Sequence, residues 1–310
     1  MTIAMELLVT LVAPGPLDPM GAAPLVAALS AHRAERLGPC AMDLHVRGVR
    51  EDVRAKALAL ADEAGLDAFV QPAEGRRKHL LMADMDSTMI EQECIDELAA
   101  VRGLRAEVAA ITDRAMRGEL DFAAALTERV ALLKGVPAAA IDELLAGTIT
   151  ASRGAATLVA GAKAHGMRTV LVSGGFLQFA EPVAARLGMD RAYANRLVVE
   201  DGLLTGEVEH PILGADAKRD RLLAECEALG IAPTDAIAIG DGANDYAMVT
   251  AAGLGIAHRA KPVLREVADG VVRHGDLTSV LLAMGIVPDD RRDPSCPEPS
   301  PNLVGAAAPI

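Results

Sequence analysis

The run Leu80-Leu-Met-Ala-Asp84-Met-Asp86-Ser87-Thr88 sets four apolar residues against two carboxylates spaced two apart. The apolar part reads as a short strand that stops abruptly in a polar turn. Side chains alternate along a strand, so acids at i and i+2 at its end point to the same side. The carboxyl ends of strands are where α/β folds hold ligands. There, one acid can attack as a nucleophile while its neighbour transfers protons. Taken alone, the pair reads equally well as the cap of a following helix.

Outward from this run, residues 169–172 and 236–239 repeat the pattern of a short apolar strand, a polar or glycine-rich turn and an amphipathic helix. That alternation predicts a parallel sheet covered by helices on both faces. Val172-Ser173-Gly174-Gly175 ends the second strand with a hydroxyl and two glycines, which lets backbone N–H groups approach a phosphoryl oxygen. Gly240-Asp241-Gly242-Ala243-Asn244-Asp245 ends the third with a carboxylate able to join Asp84 on a hard cation. Lys218 stands near the start of a helix over 217–229, where a lone lysine is ordinarily a solvated surface residue.

Between the first two strands, 95–149 reads as helix, with Asp121 and Pro137 as starts and Gly103, Gly118 and Gly135 as stops. This is too long for one crossover and predicts a helical cap inserted into the core. Asp201-Gly202 between two apolar runs predicts a hairpin within 197–208. Ahead of the core, strands are expected at 6–12, 42–46 and 68–70, with helices at 23–36 and 52–64. The charged stretch Glu74-Gly-Arg-Arg-Lys78 marks a boundary. The expected division is a small N-terminal α+β unit (1–75), a core (76–94 and 150–287), a cap (95–149) and a Pro-rich disordered tail (288–310).

The length of 310 residues fits about two domains, or one with a large insertion. Residues are 51% hydrophobic but only 2% aromatic, with no Trp, so stacking platforms for nucleic acid are not expected. A net charge of −13 argues against a broad nucleic-acid or anionic-membrane footprint. Cys40, Cys94, Cys226 and Cys296 form no CxxC pair, and no apolar stretch reaches membrane-spanning length. With no basic leader before the first apolar run, a soluble cytoplasmic protein is expected.

In order, Asp-Met-Asp-Ser-Thr, Ser-Gly-Gly, Lys and Gly-Asp-Gly-Ala-Asn-Asp resemble the four motifs of the haloacid dehalogenase superfamily. Over about 78–284 the likeness extends to Glu91-Gln-Glu93-Cys-Ile-Asp-Glu97, Phe122, Arg129, Phe176, Ala194-Asn-Arg-Leu197 and the run ending Tyr-Ala-Met248, and is to the phosphoserine phosphatase family. The resemblance implies a HAD-like Rossmannoid parallel core with an inserted helical cap, and Mg²⁺-dependent hydrolysis of O-phospho-L-serine. Asp84 would be the nucleophile and Asp86 the acid and base. Mg²⁺ would be held by Asp84, Asp241 and the Asp86 carbonyl. Ser173, Gly174 and Lys218 would contact the phosphoryl group, with Asn244 nearby. Glu93 would take the substrate ammonium, Arg129 its carboxylate, and Phe122 would close the lid. The N-terminal order is similar to amino-acid-binding ACT-type modules, and a homodimer is left open. The competing expectations are a phosphotransferase acting on another hydroxyl, such as that of homoserine, and an amino-acid-binding regulatory protein.

Overall fold

A computed structural model describes residues 4–116 and 119–288. Gly118 and the tail beyond residue 288, both singled out above, lie outside the described residues. The N-terminal unit runs β1 (Met5–Val12), α1 (Pro19–Ala28), β2 (Arg33–Arg36), β3 (Ala41–Gly48), α2 (Arg50–Glu63) and β4 (Asp67–Pro72). This is a βαββαβ succession with antiparallel order β2-β3-β1-β4. The helix expected over 23–36 is corrected here. It ends at Ala28, Ser30 takes a left-handed φ of 54°, and Arg33–Arg36 pair with β3 instead. An edge strand reading Arg-Ala-Glu-Arg carries charge on its open side and has no apolar periodicity to reveal it.

The core begins at β5 (Leu80–Ala83), and the chain then enters the cap helices α3 (Cys94–Ala100), α4 (Arg105–Met116), α5 (Phe122–Leu132) and α6 (Ala139–Gly147). It returns through α7 (Ala155–Ala164), β6 (Arg168–Phe176), α8 (Leu177–Leu187) and β7 (Arg191–Asn195). A hairpin follows, β8 (Leu197–Glu200) and β9 (Leu203–Val208), turning at Asp201 and Gly202 with φ of 50° and 76°, the twist that two-residue hairpins require. The chain closes with α9 (Ala215–Leu229), β10 (Ala236–Gly240), α10 (Tyr246–Ala251), β11 (Leu254–His258), α11 (Pro262–Arg265), β12 (Gly270–Val272) and α12 (Ser279–Ala283).

The six core strands are parallel in the order β12-β11-β10-β5-β6-β7. From β5 the chain first builds outward through β6 and β7, then crosses back to β10 and builds the other way. Strand order therefore reverses between β5 and β10, and a crevice forms at their carboxyl ends. All of Leu80–Ala83 is buried because the sheet is covered on both faces: Leu81 and Ala83 pack into one cluster, Leu80 and Met82 into the other.

β4 pairs antiparallel with β12, so core and N-terminal strands form one ten-stranded sheet. A Cβ at Gly270 would fall 2.3 Å from the Phe69 ring, so glycine is needed for this approach. The charged stretch at 74–78 is stitched into the junction. Arg76 bonds the buried Asp43 at 2.6 Å and the carbonyls of Leu282 and Ala283, while Lys78 Nζ donates to the Gly75 and Thr234 carbonyls.

Candidate active site

Asp84 follows β5 and Asp241 follows β10, on either side of the strand-order reversal, and Ser173 lies within β6 beyond β5. Asp84 is 3% exposed. Its Oδ1 accepts from the Met85 amide at 2.8 Å and from Lys218 Nζ at 2.7 Å, while Asn244 Nδ2 stands 3.5 Å from Oδ2. The strand ends at Ala83, so strand alternation does not orient Asp86. That work falls to the loop Met85–Met89, which turns through a left-handed Ser87 at φ 54°. A non-glycine residue adopts that conformation at roughly 1–2 kcal/mol. Asp86 then accepts from the Cys94 amide at 2.9 Å and from Ser173 Oγ at 3.2 Å. A Cβ at Gly175 would lie 3.0 Å from Asp86 Oδ2 and 3.1 Å from Ser173 Oγ, which accounts for the glycine after Ser-Gly.

Lys218, near the start of α9, is 1% exposed and bridges Asp84 to Asp245 Oδ1, the latter at 2.6 Å. Burial alone would depress the ammonium, but Asp245 and Asp84 outweigh it and raise its pKa, so Lys218 is a fixed positive charge. Asp245, quoted in the glycine-rich motif but given no role there, is completely buried and also accepts from the amides of Asp241 and Gly242. Its signal was spacing, four residues after Asp241 in the glycine-rich turn. Asn195 was quoted in a motif but given no role. It is buried, donates to the carbonyls of Gly174 and Leu213, and accepts from the Leu213 amide, so it braces the loop carrying Ser173 and Gly174.

One cavity of about 360 Å³ is lined by Asp84, Asp86, Glu93, Phe122, Arg129, Ser173, Gly174, Asp241 and Asn244. These are all of the sequence-named residues except Lys218, which lies behind Asp84 rather than in the lining. Asp96, quoted in a motif without a role, and Thr112 and Lys261, which the sequence reading did not name, also line it. The cap contributes through α5: Asp121 accepts from the Ala124 amide at 2.7 Å to start the helix, Phe122 opens it and Arg129 stands two turns on. A Cβ on Gly174 would come within 2.8 Å of Phe122, so this ring lies directly against the Ser173–Gly175 loop. Glu93 precedes α3 and accepts from Ser87 Oγ at 2.7 Å.

The acids crowded at this cavity raise one another's pKa, although Glu93 keeps an exposed side chain and Asp86 and Asp241 are half-buried. Burial, then Asp86, lifts Glu93 to about 7; burial, then Asp245, lifts Asp241 to about 6; and burial also raises Asp84 and Asp86. Burial lowers the pKa of Arg129, whereas Asp96, Glu93 and Asp86 act in the opposite direction, and the guanidinium stays charged. Carboxylate oxygens of Asp84, Asp241 and Asp245 lie within 4.8 Å of one another. An all-oxygen, excess-negative cluster of this kind suits a hard divalent cation. The Asp86 carboxylate is not in the cluster, being engaged by Cys94 and Ser173. Only its main-chain carbonyl is left for the metal role the sequence reading gave it.

Residues 81–250 match the family of haloacid dehalogenase-like hydrolases. A phosphoserine phosphatase of Archaeoglobus fulgidus is 40% identical over 253 residues, which cover 81% of this chain and 73% of that protein. A HAD family hydrolase from Salmonella enterica subsp. enterica serovar Typhi superposes with a TM-score of 0.82 at 30% identity, covering 90% of this chain and 98% of that one. A substrate-bound phosphoserine phosphatase complex superposes with a TM-score of 0.62 at 41% identity, over 66% of this chain and 98% of that one. With its four motifs gathered at one crevice under a helical cap, the chain belongs to the haloacid dehalogenase-like hydrolases, in their phosphoserine phosphatase family.

Proposed function

We propose that this protein hydrolyses O-phospho-L-serine to L-serine and phosphate through an aspartyl-phosphate on Asp84. The observation that carries the reading is the single cavity in which Asp84 and Asp86 meet both a cationic and an anionic recognition group, Arg129 and Glu93. A carboxylate oxygen of Asp84 attacks phosphorus and the bond to the serine oxygen breaks. The electron pair stays on that oxygen, which takes a proton from Asp86. Asp86, now a carboxylate, removes a proton from water as the water oxygen attacks the phosphoryl group, and the bond to Asp84 breaks. Burial favours the protonated form of Asp86 that the first step needs.

Phosphoryl transfer depends mainly on positioning and on neutralising spread negative charge. Lys218 supplies a buried charge beside Asp84, and Ser173 and the Gly174 amide are the donors assigned to the phosphoryl oxygens, with Asn244 beside them. Mg²⁺ would be held by Asp84 and Asp241 with the Asp86 carbonyl, and Asp245 would add negative charge behind them. When bound, the ion supplies electrostatic stabilisation of the phosphoryl oxygens. Arg129 is assigned to the substrate carboxylate, Glu93 to its ammonium, and Phe122 to closing the cap over the site. No helix among the described residues is long and apolar enough to cross a membrane. The three cysteines among the described residues are free, and we read the enzyme as cytoplasmic.

The test is selectivity. Truncating one member of a desolvated charge pair costs about 2–5 kcal/mol, which is about 30-fold to several thousand-fold in kcat/KM. Arg129→Ala and Glu93→Ala should each show that loss on O-phospho-L-serine and little change on an aryl phosphate lacking both charges. Equal losses on both esters would overturn the assignment to phosphoserine.

A further inference from the structure

Outside the active site, a second cavity of about 330 Å³ is lined by Arg259, Ala260, Arg265, Val271 and Arg273. Three guanidinium groups share it in a chain of net charge −13. Carboxylates engage two of them, and only at Nη1: Arg259 bonds Glu91 at 2.8 Å and Arg273 bonds Asp62 at 2.7 Å. A guanidinium has five N–H donors, so most of the donor capacity remains. Arg265 Nε is buried with no hydrogen-bond partner, a state that costs free energy unless something accepts from it. Arg259 also holds a left-handed φ of 45°, and such strain tends to sit at functional sites.

We propose that this cavity is a second anion site, for a phosphate group, and that its occupancy is felt at the active site. Planar guanidinium forks match phosphate oxygens in pairs, and three of them favour a dianion over a monocarboxylate. The link to catalysis is short. Two residues after Arg259, Lys261 lines the catalytic cavity, and its amide donates to the Asp241 carbonyl at 2.8 Å. Arg265 ends α11 on the same loop, so an anion drawing Arg259 and Arg265 together acts on both ends of the segment that carries Lys261.

Calorimetric titration of the full chain with inorganic phosphate, in the presence of Mg²⁺, tests this. Two binding events are expected in the wild type. In Arg265→Ala one event should weaken more than tenfold, turnover at low phosphate should be preserved, and the effect of added phosphate on turnover should reduce to simple competition at the active site. Arg259→Gln should reproduce the result and stands in if Arg265→Ala does not fold. A single event in the wild type, two unchanged events in both variants, or an equal response to acetate would overturn the proposal.

Discussion

At the scale of single residues, the ammonium of Lys218 lies between Asp84 and Asp245 with almost no access to water. Lys218→Met leaves two buried carboxylates facing each other, and removing one partner from a buried ion group costs about 3–5 kcal/mol. The expected outcome is loss of turnover together with that loss of stability in a urea titration. Wild-type stability would mean that the carboxylates are neutral in the fold and Lys218 is dispensable to it. His258 makes a second residue-scale case. It is 1% exposed, neither ring nitrogen has a hydrogen-bond partner, and burial, then the Arg259 charge, lowers its pKa to about 4. An unfolded histidine titrates near 6.5, so below that pH the unfolded state binds more protons and stability falls. The contribution is complete above about pH 6.5 and is lost between there and about pH 4. His258→Leu should therefore lose roughly 3 kcal/mol less than the wild type between about pH 7 and 4. Parallel stability–pH curves for the two proteins would refute the buried neutral imidazole.

At the scale of elements, the cap acts on the site through α5, whose first turn holds Phe122 against Gly174. Asp121 fixes that turn by accepting from the Ala124 amide. Asp121→Ala should cost about 1 kcal/mol, the usual value of a lost N-cap, and should raise KM more than it lowers kcat, because the lid frays while the chemistry stays. An unchanged KM would show that the first turn of α5 does not contribute to substrate retention. Legibility also divided by element. The strands ending at Ala83, within Ser173–Phe176 and at Gly240 were readable because each apolar run stops in a distinctive polar turn. The Asp201-Gly202 hairpin was readable from its turn chemistry alone. β2 was not, since a half-exposed edge strand of Arg, Ala and Glu owes its form to pairing with β3 rather than to its own pattern. Asp245 and Asn195 were missed as site residues because they act through other residues, by buried hydrogen bonds to Lys218 and to main-chain groups rather than by facing the cavity.

At the scale of the whole molecule, the reversal of strand order between β5 and β10 places the crevice, since the connections leave these two adjacent strand ends in opposite directions. The acids gathered there outnumber the ammonium groups of Lys218 and Lys261 beside them, consistent with a cation-dependent site. The N-terminal strands extend the same sheet through β4 and β12, far along it from Asp84, so their sequence carried no trace of the active site. The proposed function makes Asp84 the group that carries the phosphoryl moiety. Acid quenching of the full-length protein during turnover of O-phospho-L-serine with Mg²⁺, followed by peptide mass spectrometry, tests that directly. The peptide containing Asp84 should gain one phosphoryl mass, which should be absent when Asp84→Asn is treated in the same way. Phosphate release with no phosphorylated Asp84, or with the phosphoryl group trapped on another residue, would contradict the account.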